Sequence, residues 1–262
     1  MTTRHDTCRV CAGPSNFQFT QNLLAHPVDY FDCPRCGYVQ TQTPDWLEQA
    51  YARAINDVDT GIMLRNRLNV GRVLGTLWAY GQLHGRVTDH AGGYGILVRL
   101  LRDAGVDARW RDKYCENLLA RGFEADEGQS SDLLSAFEVF EHLVHPLEEL
   151  RSMVAESPIV LLSTELVPTI GPPAKDWWYL GPEHGQHIGF FRSKTLRWMA
   201  DELGCHHASD GVSVHVFSRR PAPRLWRTAM RRPLLLPLVT RYFLRSRTNR
   251  DFDFMRRKSR TE

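Results

Sequence analysis

The sequence predicts an α/β protein with a mainly parallel sheet flanked by helices, a small cysteine-rich N-terminal lobe and a basic C-terminal extension. Three observations lead to this prediction. Strand-like runs alternate with helical patterns between residues 84 and 220, a glycine-rich turn joins one run to a helix, and two Cys-x-x-Cys pairs stand near the N-terminus. We therefore expect four segments in the 262 residues: a lobe at 1–43, a helical connector at 44–83, an α/β domain at 84–220 and an extension at 221–262.

The N-terminal lobe carries Cys8, Cys11, Cys33 and Cys36. Each pair forms a tight turn, and four thiolates from two such turns satisfy tetrahedral Zn²⁺ with no open position. A structural zinc site is thus expected, and two reduced thiol pairs in a small β unit are the alternative. Aromatic and basic residues do not interleave here as a nucleic-acid face requires, so the lobe is interpreted as stabilising the fold.

The central prediction concerns residues 86–105. A strand ending in Asp89 runs into Ala91, Gly93 and Gly95, and a helix from Ile96 stops near Gly105. Asp112 ends the next strand, where such folds hold ribose hydroxyls. The spacing indicates a nucleotide- or nucleoside-binding unit, whereas a plain glycine turn without a ligand is the alternative. Incomplete agreement with Gly-x-Gly-x-x-Gly disfavours a pyrophosphate ligand and an NAD-dependent enzyme.

The rest of the α/β domain continues the alternation. Further strands are predicted at 107–110, 131–137, 159–162 and 212–218, and further helices at 116–121, 146–156 and 194–203. Ligands gather at the carboxyl ends of parallel strands, so the polar residues just past each strand are the candidates for function. These residues are Asp89, Asp112, Glu138, Glu141, His142 and Glu165.

A long loop at residues 167–191 follows the strand at 159–162. It contains aromatic residues at 177–179 together with Glu183, His184, Gln186 and His187. A loop of this length is usually a lid or a pocket wall, and this composition suits a sugar or another polyhydroxylated substrate. The alternative is a packed surface loop whose tryptophans fill the edge of a core.

The order of VTDHAGGYG, WRDKYCENLLARGFE, SDLLSAFEVFEHLVHP and PEHGQHIGFFRSKTL resembles class I S-adenosylmethionine-dependent methyltransferases. The most similar group is the bacterial small-molecule enzymes with an N-terminal four-cysteine zinc lobe, which include sugar C-methyltransferases. The resemblance covers roughly residues 5–220 and implies a Rossmann-like class I methyltransferase core.

The resemblance also implies which residues bind the cofactor. Asp89, Ala91, Gly93 and Gly95 would lie along the methionine part of S-adenosylmethionine, and Asp112 would bind the ribose hydroxyls. Residues 126–129 would flank the adenine. Phe137 and Glu138 would close the pocket. Ala91 departs from the glycine of the family pattern and is expected to be tolerated if its φ is negative.

Catalytic residues are implied in two segments. A histidine in the segment that matches FEVFEHL points to His142 as a base, and a Glu-His pair before two aromatic residues points to His187. Gln186 stands where the family has the glutamate, a departure that puts C-methylation in doubt. Glu183 and His184 lie just upstream and are expected to substitute for that pair.

We therefore expect S-adenosylmethionine-dependent methyl transfer to a small molecule, either a sugar or a glycoconjugate or polysaccharide precursor, at oxygen or carbon. The protein would mainly align the nucleophile with the methyl group and supply a base. A catalytically inactive methyltransferase-like binding module is the alternative, favoured by Ala91 and Gln186. A zinc-ribbon protein that binds nucleic acid through its basic extension is a third hypothesis.

Charge is distributed unevenly along the chain. From Pro221 onward there are 12 Lys and Arg against 3 Asp and Glu, whereas the preceding residues carry a net charge of −6. The apolar stretch Leu234 to Leu244 is too short to span a bilayer. The expectation is that it lies on an anionic membrane surface or docks on a protein partner or a second copy, with nucleic acid disfavoured. The alternative is a helical appendage that packs on the acidic surface of the preceding residues. With no signal-peptide pattern, the expected location is the cytoplasm, and the basic extension predicts peripheral contact at the inner face of the membrane.

Overall fold

The computed structural model describes residues 5–24, 26–50, 59–126, 128–168 and 173–260. Its strands are β1 (His5–Thr7), β2 (Pro14–Leu23), β3 (His26–Asp32), β4 (Val39–Thr41), β5 (Arg86–His90), β6 (Asp107–Arg111), β7 (Leu133–Phe137), β8 (Ile159–Ser163), β9 (Gly189–Phe190), β10 (His206–Ser209) and β11 (Val214–Ser218). Its α-helices are α1 (Leu47–Ala50), α2 (Ile62–Ala79), α3 (Ile96–Asp103), α4 (Pro146–Glu156), α5 (Ser193–Glu202), α6 (Arg224–Met230), α7 (Leu236–Thr240) and α8 (Thr248–Lys258).

Two sheets contain these strands. The first has the order β1-β2-β3-β4-β9, with antiparallel pairing throughout. The second has the order β10-β11-β8-β7-β5-β6, in which β5 pairs in parallel with both β6 and β7. All five residues of β8 are buried, as expected for a strand covered on both faces. The predicted Rossmann-like α/β fold is confirmed, and the antiparallel β10–β11 pair at the sheet edge was not predicted.

The chain divides into two compact units. The first comprises residues 1–56, 137–155 and 162–221, and the second comprises residues 57–136, 156–161 and 222–262. These units interleave along the chain, whereas the four segments predicted from the sequence are consecutive. That segmentation therefore stays a prediction.

The first unit has a core that joins the N-terminal strands to the long loop. Leu23, Tyr30 and Val39 are fully buried together with Leu180 and Phe190. β4 also pairs directly with β9, through Val39 with Phe190 and Gln40 with Gly189. The loop is thus part of a packed core, as the alternative interpretation proposed, although one of its tryptophans remains exposed. Residues 169–172 of this loop lie outside the described residues.

The second unit is held together by close packing of the C-terminal extension on α2. Gly71 leaves no room for a side chain, because a Cβ atom there would lie 1.9 Å from the carbonyl oxygen of Pro233. The buried indole of Trp226 donates a hydrogen bond to the hydroxyl of Thr76, at 3.0 Å. None of the helices in the described part of the chain combines the length and apolar character that a membrane crossing requires.

One predicted helix was wrong. Residues 116–121 form bends and turns instead of a helix. The side-chain oxygen of Asn117 accepts a hydrogen bond from the Ala120 amide, and its nitrogen donates to Glu124. Such local side-chain bonds compete with helical backbone bonds, which explains the difference. In the predicted connector, α1 and α2 are helical, and residues 51–58 lie outside the described residues.

Candidate functional site

The glycine turn of the second unit begins at Asp89, at the end of β5. Its side chain is buried, at 4% exposure, and one carboxylate oxygen accepts a hydrogen bond from the Ser135 hydroxyl at 2.7 Å. Burial raises the pKa of Asp89 to about 7, because desolvation penalises the charged form. The carboxyl group is therefore close to half ionised at neutral pH, and a nearby cation would favour its ionised form.

The turn itself requires left-handed backbone at several positions. Gly93 and Gly95 have φ values of +53° and +86°, and Ala91 has a φ of +56°. The negative φ under which Ala91 was expected to be tolerated is not present, because this residue occupies the conformation that favours glycine. Open space surrounds the position where Gly93 would carry a Cβ atom, whereas a Cβ at Gly92 would lie 2.9 Å from Asp89.

Asp112 closes the same turn from the end of β6. One carboxylate oxygen accepts the amide hydrogen of Gly93 at 2.9 Å, and the other accepts those of Tyr114 and Cys115 at 2.7 and 2.9 Å. A carboxylate has about four acceptor positions, so about one remains for a ribose hydroxyl. Asp112 thus orders the turn as well as offering the acceptor that the sequence predicted.

These residues fit the expected cofactor. The structure brings Asp89, Ala91, Gly93 and Gly95 together in one turn of the second unit, with Asp112 hydrogen-bonded to it from the end of β6. They offer a buried carboxyl group for a cationic amine, open backbone at Gly93 and an acceptor oxygen for a hydroxyl. Of the residues expected near the adenine, Glu127 lies outside the described residues.

Phe137 and Glu138 lie in the first unit, at the end of β7. Glu138 has a φ of +56°, which is uncommon for a residue with a long side chain. Its amide donates a hydrogen bond to the Ser163 hydroxyl at 2.9 Å, and this hydroxyl in turn donates to the Glu138 carboxylate. The two bonds hold the strained residue in place. Strain of this kind often marks a functional position.

His142 and His187 lie side by side in the first unit, with ring centroids 4.9 Å apart. The Nδ1 atom of His142 is 3.1 Å from the carbonyl oxygen of Gln186, and that of His187 is 2.6 Å from the carbonyl oxygen of Tyr179. A carbonyl oxygen only accepts, so both Nδ1 atoms are the protonated ones. Both neutral rings therefore present a lone pair at Nε2.

Glu141 completes a cluster with these histidines. One carboxylate oxygen lies 4.0 Å from Nε2 of His142, and ligand atoms from all three residues lie within 4.8 Å of one another. The side chain is fully buried, and neither oxygen has a hydrogen-bond partner of ordinary geometry among the described residues, although the Tyr179 and Thr164 hydroxyls lie close enough to lower its pKa. Burial raises the pKa of the Glu141 carboxyl well above its usual range, and the nearby Glu138 carboxylate adds to this rise.

Burial lowers the pKa of both clustered histidines. The pKa of His142 falls to about 4, because desolvation penalises its cationic form. The pKa of His187 is also lowered well below its usual value, mainly by desolvation and then by the neighbouring His142. Both rings are therefore neutral at pH 7, in the form that offers a lone pair.

His184 and Gln186 both contact the histidine pair, whereas Glu183 lies outside its cluster. The His184 ring lies 4.7 Å from the His187 ring, but its Nδ1 atom accepts the Gln186 amide hydrogen. Burial also lowers the pKa of His184. Glu183 is not part of the cluster that His142 and His187 form with Glu141. The side chain of Gln186 donates to the carbonyl oxygen of Ala50, so this residue positions His142 through its backbone.

The four predicted metal ligands of the N-terminal lobe form a second cluster. Cys8, Cys11, Cys33 and Cys36 are buried free cysteines. The sulfur atoms are 3.5 Å apart in the Cys8–Cys36 pair and 3.4 Å apart in the Cys11–Cys33 pair. Zinc–sulfur bonds of about 2.3 Å at tetrahedral angles place sulfurs about 3.8 Å apart, so the cluster fits Zn²⁺.

Comparison with known proteins identifies the family. A family model described as a methyltransferase domain matches residues 64–209, more than half of the chain. The chain belongs to this methyltransferase family. The predicted class of enzyme, an S-adenosylmethionine-dependent methyltransferase, is thereby confirmed. No curated protein sequence matches the methyltransferase.

Several solved methyltransferase structures are similar to this chain. Magnesium protoporphyrin IX methyltransferase from Synechocystis PCC 6803 with bound SAH is 22% identical, with a TM-score of 0.46, and the match covers 67% of this chain and 94% of that one. The plantazolicin methyltransferase BamL is 11% identical, with a TM-score of 0.49 and coverage of 74% and 83%. An O-methyltransferase family protein from Burkholderia thailandensis is 12% identical, with a TM-score of 0.48 and coverage of 67% and 63%.

Sequence reasoning placed Glu141 among the strand-end residues of the methyltransferase but gave it no role. The signal was present in the Glu138, Glu141 and His142 spacing, which a short 3-10 helix at Phe140–His142 brings into one turn. Tyr179 is buried in the loop, and its carbonyl oxygen orients His187. No sequence pattern predicts a role that a backbone oxygen performs.

Proposed function

We propose that the methyltransferase transfers a methyl group to an oxygen or an acidic carbon of a small polyhydroxylated molecule. The acceptor class is a sugar or a glycoconjugate or polysaccharide precursor. The observation that supports this proposal is the cluster of Glu141, His142 and His187 in the first unit. Nε2 is the unprotonated nitrogen of both imidazoles, and a fully buried carboxyl group lies beside them. This cluster is where the acceptor loses its proton.

The histidines are oriented for this task by backbone atoms. Because carbonyl oxygens fix the Nδ1 protons of His142 and His187, Nε2 is the basic nitrogen of each neutral ring, and we propose that it acts on the acceptor. Proton removal makes a hydroxyl oxygen or an acidic carbon a stronger nucleophile. S-adenosylmethionine supplies the methyl group, and its carbon–sulfur bond breaks as the bond to the acceptor forms. The protein aligns the two reactants and removes the proton.

An exposed aromatic ring beside the histidines supports a sugar-like acceptor. Trp178 is 71% exposed, and its ring lies 5.2 Å from the ring of Tyr179, which lies 4.6 Å from the ring of His187. Aromatic faces with a few polar groups are typical of sites for polyhydroxylated ligands. The acceptor would lie against Trp178 with a hydroxyl directed to the cluster.

The same proposal assigns structural Zn²⁺ to Cys8, Cys11, Cys33 and Cys36. Four buried thiols at nearly tetrahedral separations leave no position for a substrate. The ion would stabilise the strands of the lobe, in keeping with its closed ligand set.

The acceptor proposal can be tested with a panel of sugar nucleotides and free sugars, scored by mass spectrometry for a gain of one methyl group. His187→Gln is expected to lower the turnover of an active acceptor by about 100-fold or more and to leave S-adenosylmethionine affinity unchanged. His206→Gln, at an exposed histidine of β10, is the matched control and should be as active as the native protein. Methylation of no panel member, or full activity in His187→Gln, would contradict the proposal.

A further inference from the structure

We infer that Glu141, His142 and His187 form a binding site for one divalent transition-metal cation. This inference rests on the proposed function, because the cation would act on the acceptor at the same cluster. The three residues offer one carboxylate oxygen and two imidazole nitrogens, all within 4.8 Å of one another. Two histidines and a carboxylate hold a metal ion while leaving positions open for a substrate.

The spacing needs only a small adjustment. Ligands about 2.1 Å from a metal at tetrahedral angles lie about 3.4 Å from each other, and at wider angles somewhat farther apart. The 4.0 Å between Glu141 and Nε2 of His142 is close to that value. The ligand atoms of all three residues lie within 4.8 Å of one another, so binding one ion requires them to move closer together by about 1 Å.

The partners of the histidines match those of metal ligands. A metal-ligating histidine usually donates its second ring N–H to a carboxylate or a backbone carbonyl, which fixes the ring and its tautomer. His142 and His187 both donate from Nδ1 to a backbone carbonyl, of Gln186 and Tyr179 respectively. The structure thus provides, for both histidines, the hydrogen bond that usually orients a metal-binding imidazole.

The Glu141 carboxyl group gives a second, independent indication. It is fully buried, and neither oxygen has a hydrogen-bond partner of ordinary geometry among the described residues. The Tyr179 and Thr164 hydroxyls lie close enough to lower its pKa, but burial and Glu138 still raise that pKa well above its usual range, so the ionised form is only partly compensated. A cation between Glu141 and the histidines would complete that compensation. Glu138 is near enough to influence Glu141 electrostatically, and it offers a further carboxylate oxygen.

The cation defines how the acceptor is activated. A hydroxyl group bound to a divalent cation has a lowered pKa, so its proton passes to solvent and its oxygen attacks the methyl carbon. Neighbouring hydroxyls on a sugar can bind one ion together, which accords with the proposed acceptor class. In this arrangement the acceptor still loses its proton at the same cluster, but the cation lowers the pKa of its hydroxyl, and His142 and His187 hold the cation through Nε2 instead of taking the proton themselves.

Manganese binding to the zinc-loaded, full-length protein tests the site without any acceptor. Loss of the free Mn²⁺ electron paramagnetic resonance signal should report one bound ion per chain. Glu141→Gln and His187→Gln should each weaken binding by about tenfold or more, and the control His206→Gln should not change it. Zinc content and circular dichroism establish that the variants are folded.

The outcomes separate this inference from the proposed function. No Mn²⁺ binding at millimolar concentration, or equal binding by all the variants, would overturn the cation site. Methylation that persists unchanged after chelation of the cation would also overturn it while leaving the proposed function intact. Mn²⁺ binding with no methylated acceptor in the panel would support the site and contradict the proposed function.

An independent observation in the second unit carries another proposal, that the C-terminal extension docks on an anionic lipid surface. Exposed apolar side chains recur at helical spacing along residues 234–243. They are Leu234, Leu235, Leu238, Val239, Tyr242 and Phe243, with exposures from 38% to 76%. Buried Leu236, Thr240 and Leu244 form the inner row, so the outer rows have no role in this unit's core.

Charge identifies the partner. Arg231, Arg232, Arg241 and Arg245 are exposed around the apolar rows. Apolar side chains that enter the headgroup region and arginines that contact anionic headgroups are the two requirements for interfacial binding. The carbonyl group of Pro233 packs against Gly71 of α2, and this contact fixes the side of the extension that faces α2. The exposed apolar rows therefore face away from α2.

Sedimentation with phosphatidylglycerol vesicles tests this surface, with phosphatidylcholine vesicles as the comparison. The protein should sediment with the anionic vesicles and be released by salt, and the double variant Leu238→Ser, Tyr242→Ser should bind at least tenfold more weakly. Val212→Ser, at an equally exposed apolar residue next to β11, is the control. Failure to sediment would overturn the proposal, as would a dimer in solution that the same double variant dissociates.

Discussion

The Nδ1 atom of His187 lies 2.6 Å from the carbonyl oxygen of Tyr179, so a buried backbone oxygen determines which nitrogen of this histidine carries the proton. His142 has the same arrangement with the carbonyl oxygen of Gln186. Gln186 replaces the glutamate that the family resemblance implies, yet its backbone oxygen still orients a catalytic candidate. The substitution therefore leaves the geometry of the histidine pair in place.

Cofactor affinity should depend on pH through Asp89. The pKa of this carboxyl is raised to about 7 in the free protein, and a cationic amine binds its ionised form. Affinity for S-adenosylmethionine should rise about tenfold per pH unit below pH 7 and level off above it. Calorimetric titrations between pH 5.5 and 8.5 measure this dependence. Asp89→Asn should bind more weakly and show no such slope, and a native slope in that variant would contradict the assignment.

The same carboxyl should make the cofactor-free protein more stable at low pH. Its folded pKa of about 7 lies above its ordinary value of 3.8, so the folded state binds more protons between these values. The Asp89 contribution is then fully present below pH 3.8 and is lost as pH rises through 7, by up to about 4 kcal/mol. Urea unfolding of the native protein and of Asp89→Asn isolates this contribution as their difference. An equal pH dependence in both proteins would refute it.

Ala91→Gly should stabilise the protein. Ala91 has a φ of +56°, which costs an alanine about 1–2 kcal/mol, and the added freedom of glycine in the unfolded chain offsets part of the gain. The free energy of unfolding should rise by about 0.5–1 kcal/mol. Ala104→Gly, at a φ of −78°, is the control and should lower it. A loss of stability in Ala91→Gly would show that this turn is not strained.

Asp251→Ala should destabilise the second unit. Asp251 of α8 accepts two hydrogen bonds from the Arg102 guanidinium, at 2.7 and 2.8 Å, and both side chains are about 95% buried. Removal of Asp251 leaves the buried Arg102 guanidinium with Asp107, at 3.1 Å, as its remaining carboxylate partner, and costs up to about 3–5 kcal/mol. Asp253→Ala, at an exposed acid of the same helix, should change the free energy of unfolding by less than about 0.5 kcal/mol. Similar urea midpoints for the two variants would exclude a structural role for the pair.

Cys33→Ser should remove one zinc ion per chain and lower the melting temperature. Loss of a ligand leaves the lobe without a closed tetrahedral site, and structural zinc contributes several kcal/mol to folding. Elemental analysis and thermal unfolding measure the two effects. Cys205→Ser, outside the cluster, should retain all zinc. Full zinc content in Cys33→Ser would contradict the four-cysteine assignment.

Sequence predicted the parts of the fold that depend on neighbouring residues. The turn from Asp89 to Gly95 and the two cysteine pairs are local patterns, and the structure has them where expected. The pairing of β4 with β9 joins residues about 150 positions apart, and no local pattern specifies it. The wrong helix at 116–121 has a local cause, since the Asn117 side chain satisfies a backbone amide that a helix would need.

The sequence indicated which residues belong to the candidate site, but not which of them lie next to one another. His142 and His187 were expected to act as bases, and their proximity depends on the packing of the long loop. Glu141 became a member of the cluster only through its burial and its distance from His142. Asp112 was expected at a ribose, and its three bonds to backbone amides could not be inferred from spacing.

The most direct test of the account is calorimetric titration of the zinc-loaded protein with S-adenosylmethionine and with its demethylated product. The native protein should bind both at about micromolar Kd, and Asp112→Ala should lose this binding. Asp112→Asn, which keeps one acceptor oxygen for the turn amides, should weaken it without unfolding the protein. A folded native protein that binds neither ligand would contradict the central claim that this chain is an S-adenosylmethionine-dependent methyltransferase.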